Sequence, residues 1–374
     1  MKTADKLPSP DQDSAKPRGD SAASRRTFLG ATLALGVASV GGGIALLAPG
    51  RAKADADQQG RLDPRYFPLR RFDPEISLAG KLAVITGASR GNGRAIGEAL
   101  TALGVDVIGT SRNPATVPNP PAFPLLKLDI ADPNSVLAFP AQLAGNAVFQ
   151  RRGQVDILCN NAGRLAIGGI VPTPPTDPAF FSSQRDLAVR TLYSGHVLFT
   201  NVILASFMPN AGYARIIFTV SIASYYTGFG LAGGSFTDTY QSAKAALRSY
   251  ANALAGGLRE AGSNIRVSTV NPYAMNTSLA EHPHPIYTQP VDSAGLSSTD
   301  QVFNAVITGF RQLLASAQPT TRIGTTYAQL LQMANPAYNV VVASPREPFA
   351  TQGANAAIEQ ALLTENQYSA VPIY

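Results

Sequence analysis

The run Leu82-Ala83-Val84-Ile85-Thr86-Gly87-Ala88-Ser89-Arg90-Gly91-Asn92-Gly93-Arg94-Ala95-Ile96-Gly97 decides how the rest of the chain is read. Its first four residues are uninterrupted apolar positions, the pattern of a parallel strand buried on both faces, and the alanine-bearing stretch after Gly93 is helical. Gly87, Gly91 and Gly93 therefore fall on a strand-to-helix turn. Glycine tolerates positive φ and lets backbone N–H groups approach a pyrophosphate, whose charge is favoured by the positive end of the helix dipole. Glycine patterns are common in a chain with 33 glycines. Its place between a strand and a helix is what makes this one a dinucleotide site.

Outward from that turn, further strands are predicted at Val105–Thr110, Phe123–Asp129, Val155–Cys159, Ala214–Ser221, Ile265–Val270 and Asn339–Ala343. Strands alternating with helical segments predict an α/β fold, a Rossmann-type doubly wound parallel sheet in a single domain over residues 78–374. The stretches Tyr225–Thr239 and Ser278–Pro336 exceed what plain connections need, and residues 278–336 are read as a substrate lid inserted near the C-terminus. Residues 55–77, polar and basic with Arg65 to Arg71 alternating aromatic and cationic side chains, are read as an arm wrapping the domain.

Residues 1–23 are polar. Ser24-Arg25-Arg26-Thr27-Phe28-Leu29 follows, then an uncharged run from Gly30 to Gly50 and an Ala52-Lys53-Ala54 cleavage pattern. Residues 1–54 resemble a twin-arginine export signal, which implies a periplasmic or exported mature protein with no stable membrane insertion after cleavage. The alternative is an anchor retained through residues 30–50, a run long enough to span a bilayer. These 54 residues hold eight Lys/Arg and four Asp/Glu, so the net charge of +6 for the whole chain falls to +2 for the remainder. With no cluster of basic and aromatic residues, nucleic acid is excluded as a partner. Cys159 is the single cysteine, which excludes an internal disulfide and a thiolate metal site. His196, His282 and His284 have only Glu281 as a nearby carboxylate, and no metal is expected.

The second strand ends in Gly109-Thr110-Ser111-Arg112, with no acid to bind a ribose 2′-hydroxyl. Arg90 and Arg112 instead suit a 2′-phosphate, which favours NADP(H) over NAD(H). Asp129 closes the third strand where it can accept from an adenine amino group, and Asn160-Asn161-Ala162-Gly163 closes the fourth. Tyr240 and Lys244, four apart, project from one helix face. An ammonium there should stabilise the phenolate and lower the tyrosine pKa from about 10, fitting it to exchange a proton with an alcohol. Ser221, ending the fifth strand, is placed to hold the substrate oxygen.

Together these pieces resemble a classical short-chain dehydrogenase/reductase, from about Leu78 to Thr277 and more loosely to Val341. The matching residues are Thr86 through Gly93, with Gly87, Ser89, Arg90, Gly91 and Gly93 on the turn, then Asp129-Ile130, Asn161-Ala162-Gly163, Ser221, Tyr240 with Lys244, and Asn271-Pro272 with Thr277. The resemblance implies a nicotinamide-dependent oxidoreductase interconverting an alcohol and a carbonyl compound, with Ser221 and Tyr240 at the reacting oxygen and Lys244 also on the nicotinamide ribose. Pro272 and Thr277 would lie along the nicotinamide, and a homo-oligomer is expected. Asn92 stands where the family has an aliphatic residue, and Tyr273 replaces a glycine. The run Val189-Arg190-Thr191-Leu192-Tyr193-Ser194-Gly195 lacks the family's relay asparagine, and Asn201 lies too far along to replace it. Thr191, Tyr193 or Ser194 would have to order the relay water. A noncatalytic nucleotide-binding protein is the competing reading. The interval from Ser221 to Tyr240 is long, and Tyr225, Tyr226, Phe229 and Phe236 within it are expected to rim the substrate site.

Overall fold

The computed structural model describes residues 75–165, 178–209, 212–225, 238–272, 275–279, 319–334 and 339–342, together with 308, 311–312, 314–315 and 317. Residues 1–54, read above as an export signal, most of the stretch 55–77, and Tyr226, Phe229, Phe236, Tyr273, His282 and His284 lie outside the described residues. Among the described residues, seven strands form one sheet: β1 (Leu82–Ile85), β2 (Asp106–Ser111), β3 (Leu125–Lys127), β4 (Ile157–Asn160), β5 (Ala214–Thr219), β6 (Ile265–Pro272) and β7 (Asn339–Val342). Their order is β3-β2-β1-β4-β5-β6-β7, with every neighbouring pair parallel. Each residue of β1, β4 and β5 is buried. Their side chains alternate between two cores, with Ala83 and Ile85 entering one and Leu82 and Val84 the other.

Helices α1 (Gly91–Thr101) and α7 (Thr321–Leu331) cover the first core. They approach closely because α7 presents Gly324 to α1: a Cβ there would lie 2.5 Å from the Ala95 carbonyl oxygen. The opposite face carries α2 (Pro133–Ala144), α3 (Ala147–Arg152), α5 (Gly195–Phe207) and α6 (Asp238–Glu260). Here Phe139 of α2 meets Phe199 of α5 edge to face at 5.1 Å. Burial of each such ring contributes about 1.5–3 kcal/mol. Helix α4 (Pro178–Val189) runs into α5 through a π-helical segment, Arg190–Ser194. Ser182–Phe207 is apolar and long enough to cross a membrane, but its Phe199 and Ile203 are buried against the sheet.

Three expected boundaries shift for local reasons. The ladder of β3 is shorter than Phe123–Asp129, since Pro124 has no N–H and the Asp129 amide turns to the Ser135 hydroxyl (2.9 Å). Strand β5 stops before Ser221, whose hydroxyl accepts from the Ala223 amide (3.2 Å) and opens the 3-10 turn Ile222–Ser224. Helix α1 starts at Gly91 rather than after Gly93. The stretch 278–336 also divides. Ser278, Leu279 and Leu314 line the central cleft, whereas 321–331 is the crossover helix α7, buried on α1 and the sheet. Of the N-terminal arm, Glu75 and Ile76 donate their amides to Gln332 O, and the Glu75 carboxylate accepts from the Ala334 amide. The strand order reverses between β1 and β4, and a cleft opens above their carboxyl ends, where doubly wound sheets bind ligands.

Candidate active site

The cleft has a volume of about 990 Å³ and collects residues from the ends of β1, β2, β3, β4, β5 and β6. Gly87 and Gly91 adopt φ of +68° and +55°, and a Cβ on Gly87 would sit 2.9 Å from the Ala162 Cα. Only glycine fits this turn without strain. Helix α1 begins there with no side-chain cap and no acid in its first turn, so its leading N–H groups face the cleft unclaimed by protein carboxylates. Ser89, Arg90, Asn92, Arg112, Asp129, Ile130, Asn161, Ala162, Gly163, Pro272 and Thr277 also line the cleft, as do Ser221, Tyr240 and Lys244.

Gly93 is the exception among the expected cofactor residues. It is buried beneath the turn, and a Cβ there would fall 2.3 Å from Gly87 O and 2.6 Å from Asn161 Nδ2. Its task is close packing rather than ligand contact. Asn92 departs from the aliphatic pattern with a consequence: its Oδ1 is buried at the cleft without a hydrogen-bond partner. A narrow glycine cradle, an open helix N-terminus and an unpaired amide oxygen fit a nucleotide diphosphate with polar groups beside it.

The loops are locked by buried polar bonds. Thr86 Oγ1 accepts from the amides of Asn161 (2.8 Å) and Ala162 (3.0 Å), while Asn161 Nδ2 donates to Thr86 O (3.1 Å). Thr219 Oγ1 donates to Asn161 Oδ1 (3.1 Å), which leaves Tyr327 to donate to Thr219 Oγ1 at 2.6 Å. A continuous chain of donors thus links α7 to β5, β4 and β1. His196 bonds Ala162 O through Nε2 (2.8 Å) and meets the Asn160 amide through Nδ1 (3.2 Å). Burial, reinforced by the charge of Lys244, lowers its pKa to about 4, so it is neutral, and both ring nitrogens are taken up bracing Ala162 O and the Asn160 side chain. Among the described residues there is no cluster of metal-ligating side chains. Tyr327, Thr219 and His196 carry no sequence motif of their own, and only folding reveals their place.

Tyr240 and Lys244, expected from the sequence to act as an acid/base pair, stand together in the cleft, but their electrostatics differ from the expectation. Tyr240 hydrogen-bonds Ser221, which lowers its pKa, yet burial is the larger effect and leaves it raised. Lys244 Nζ donates to Thr219 O (2.7 Å) and lies 6.0 Å from the centroid of the Tyr240 ring. Burial lowers Lys244 from 10.5 to about 7. The expected depression of the tyrosine by a full ammonium is therefore corrected: near neutral pH the lysine charge is itself partial, and desolvation governs both groups.

Nor does the π-helical segment restore the absent relay asparagine. Arg190 and Ser194 are exposed, Thr191 lines the cleft but donates to Leu187 O (2.7 Å), and buried Leu192 packs with Ala188 and Ala243 beside Tyr193 and Tyr240. Leu165 and Leu314 form a second apolar group against Tyr240, joined by Leu279. Tyr225 lies under the Arg248 guanidinium, 3.9 Å from its centroid.

Comparison with known proteins agrees with this architecture. The chain is 32% identical over 209 residues to 3-oxoacyl-(acyl-carrier-protein) reductase FabG of Salmonella typhimurium, covering 54% of this chain and 77% of that protein. It is 28% identical over 202 residues to 3-ketodihydrosphingosine reductase of Bacteroides thetaiotaomicron, covering 54% and 66%. Among solved structures, a short chain dehydrogenase/reductase from Burkholderia phymatum in complex with NAD superposes with a TM-score of 0.57 at 19% identity, covering 80% of this chain and 98% of that one. One from Burkholderia cenocepacia in complex with NADP gives 0.51 at 21% identity, covering 71% and 98%. The profile of the short chain dehydrogenase family matches residues 81–285, more than half the chain, and with the sheet order and the cleft this places the protein in that family, as an oxidoreductase that uses a nicotinamide cofactor.

Proposed function

We propose that the protein is an NADP(H)-dependent oxidoreductase that interconverts an alcohol and a ketone or aldehyde, with Tyr240 exchanging the proton at the reacting oxygen. The observation that carries this reading is the meeting of the hydrogen-bonded pair Ser221 and Tyr240, with Lys244, in the same cleft as the glycine turn. The nicotinamide nucleotide, when bound, gives or takes the hydride. The backbone of Gly87 to Gly91 and the first turn of α1 hold its phosphates, Arg90 and Arg112 favour a 2′-phosphate, and Asp129, Ile130, Asn161, Ala162 and Gly163 shape the adenosine end.

Burial keeps Tyr240 protonated at neutral pH, the form that donates to a carbonyl oxygen. Ser221 steadies that oxygen and, by donating to the phenolate, offsets part of its desolvation. Lys244, fixed by Thr219 O, changes protonation near neutrality and so sets the field at Tyr240 across the working pH range. Leu165, Leu279 and Leu314 give the carbonyl an apolar flank, which suits an aliphatic or aromatic substituent.

Residues 1–54 act in this reading as a twin-arginine signal, and the folded protein leaves the cytoplasm with its nucleotide already bound. Nucleotide bound to the native state alone stabilises it before export. Changing Arg25 and Arg26 to Lys strands the precursor inside, and mass spectrometry of the denatured exported protein detects NADP(H). The enzymatic claim is tested by Tyr240→Phe, measured against a panel of carbonyls and alcohols. Turnover should vanish while nucleotide affinity stays within about twofold, and retention of near-normal activity would overturn it. Loss of nucleotide binding in the unaltered protein would leave neither the enzyme nor the noncatalytic binding role standing.

A further inference from the structure

Arg164 directly follows the Asn161-Ala162-Gly163 loop and carries no expectation from sequence, yet it stands on the wall of the cleft with Arg90 and Arg112. It is half-buried. One terminal nitrogen donates to the Gln184 side-chain oxygen on α4, and its Nε is buried without a hydrogen-bond partner. Burial and the neighbouring charge of Arg112 both lower its pKa, so two guanidiniums sit close enough to repel. Asp129 is the one carboxylate among the described lining residues, and its Oδ1 already accepts from the Ala131 amide (3.0 Å). Holding two cations together with part of their hydration removed is costly unless an anion lies between them.

The location narrows which anion. Arg112 directly follows β2 and Arg164 lies just beyond β4, the two strands that flank β1, so both arginines stand at the same end of the sheet as the glycine turn. Leu165, the next residue, packs against Tyr240, whereas Arg164 reaches to Gln184 and toward Arg112. Leu165 is thus committed to the Tyr240 cluster, while the Arg164 guanidinium is tied to α4 through Gln184 and feels the charge of Arg112, the residue that follows β2. A planar guanidinium with an unused Nε presents the fork that a phosphate dianion accepts.

We infer that Arg164 is a specificity-determining residue that closes, with Arg112, on the 2′-phosphate of an adenosine nucleotide. This rests on the reading of the cleft as an NADP(H) site, and it adds an arginine from the end of β4 to those from the turn and from β2. The partner of Arg164 in the chain, Gln184, acts as a positioning residue that holds the guanidinium outward from α4.

The test is calorimetric titration of the full chain with adenosine 2′,5′-bisphosphate and adenosine 5′-monophosphate, for the unaltered protein and for R164Q, R164K and R112A. The unaltered protein should bind the bisphosphate at least tenfold more tightly. Loss of one charge-assisted contact in R164Q should weaken the bisphosphate by about tenfold and leave the monophosphate within twofold. R164K, which keeps charge but not the fork, should recover only part of the loss, and unchanged circular dichroism and melting temperature would set aside misfolding. If the unaltered protein does not discriminate the two ligands, the NADP(H) reading itself fails. If it discriminates and R164Q discriminates equally, the assignment of Arg164 alone is overturned. Equal weakening of both ligands, or a rise confined to the substrate KM, would also overturn it, the latter by giving Arg164 to a substrate anion.

Discussion

Replacing Lys244 with methionine reads out the balance of burial and charge on which the site is built. The side chain is 3% exposed, and burial lowers its pKa from 10.5 to about 7. Below pH 7 the lysine is protonated in both folded and unfolded protein, and the folded state bears the cost of a desolvated ammonium. Between pH 7 and 10.5 the folded protein sheds a proton that the unfolded chain keeps. The unfolded state then binds more protons, so stability rises with pH, by up to about 1.4 kcal/mol per pH unit. Integrated from pH 6 to pH 9 with those two pKa values, the gain is about 3 kcal/mol. Lys244→Met retains most of the apolar stem and removes the titration. Urea unfolding of both proteins, without added nucleotide, should show the difference in unfolding free energy, unaltered minus variant, rising by about 3 kcal/mol over that range. Groups not coupled to Lys244 cancel in the difference, and His196, which the Lys244 charge does influence, has a pKa of about 4 and stays neutral in the fold across this range. A difference that stays flat would mean that Lys244 titrates alike in both states, and the argument that desolvation dominates this site would be refuted.

Three further outcomes are expected. Gly195→Ala places a Cβ 1.9 Å from the Ile130 carbonyl oxygen, so α5 or the loop after β3 must move; unfolding free energy should fall by about 1–3 kcal/mol, and nucleotide affinity should fall with it because Ile130 lines the cleft. Tyr327→Phe removes the outermost donor of the buried chain through Thr219 to Asn161, which should cost about 1–2 kcal/mol in urea titrations while the pH dependence of turnover stays unchanged. Arg190→Asn should leave kcat and KM within twofold, since that side chain is exposed and does not line the cleft.

The sheet was legible because its central strands are buried on both faces and so consist of unbroken apolar runs. Leu82–Ile85 needed no context to be read. The glycine turn was legible because a backbone at positive φ against another backbone admits one residue type. The motif did not separate the glycines by task, and Gly93 looks the same in sequence as Gly91 although one packs and the other lines the cleft. The supporting network was hidden for a different reason. Tyr327 lies 108 positions from Thr219, and neither belongs to a local pattern, so their 2.6 Å contact exists only once β5 and α7 are stacked. The electrostatics of Tyr240 and Lys244 also eluded the spacing rule. Four residues on a helix fix which way two side chains point, but the direction of a pKa shift depends on how much water the fold removes from each.

Cys159 sits on β4 in the middle of the sheet, inaccessible to solvent, and burial pushes its thiol pKa up. Nucleophilic attack, oxidation and mixed-disulfide formation all require an exposed thiolate, and the folded protein offers none. Since the chain contains no other cysteine, neither cross-linking of two copies nor a shift in glutathione poise has a handle on the native state. Blocking by a thiol reagent such as N-ethylmaleimide would then report unfolding alone, and the protein carries within its own strand a built-in clock for the opening of its core.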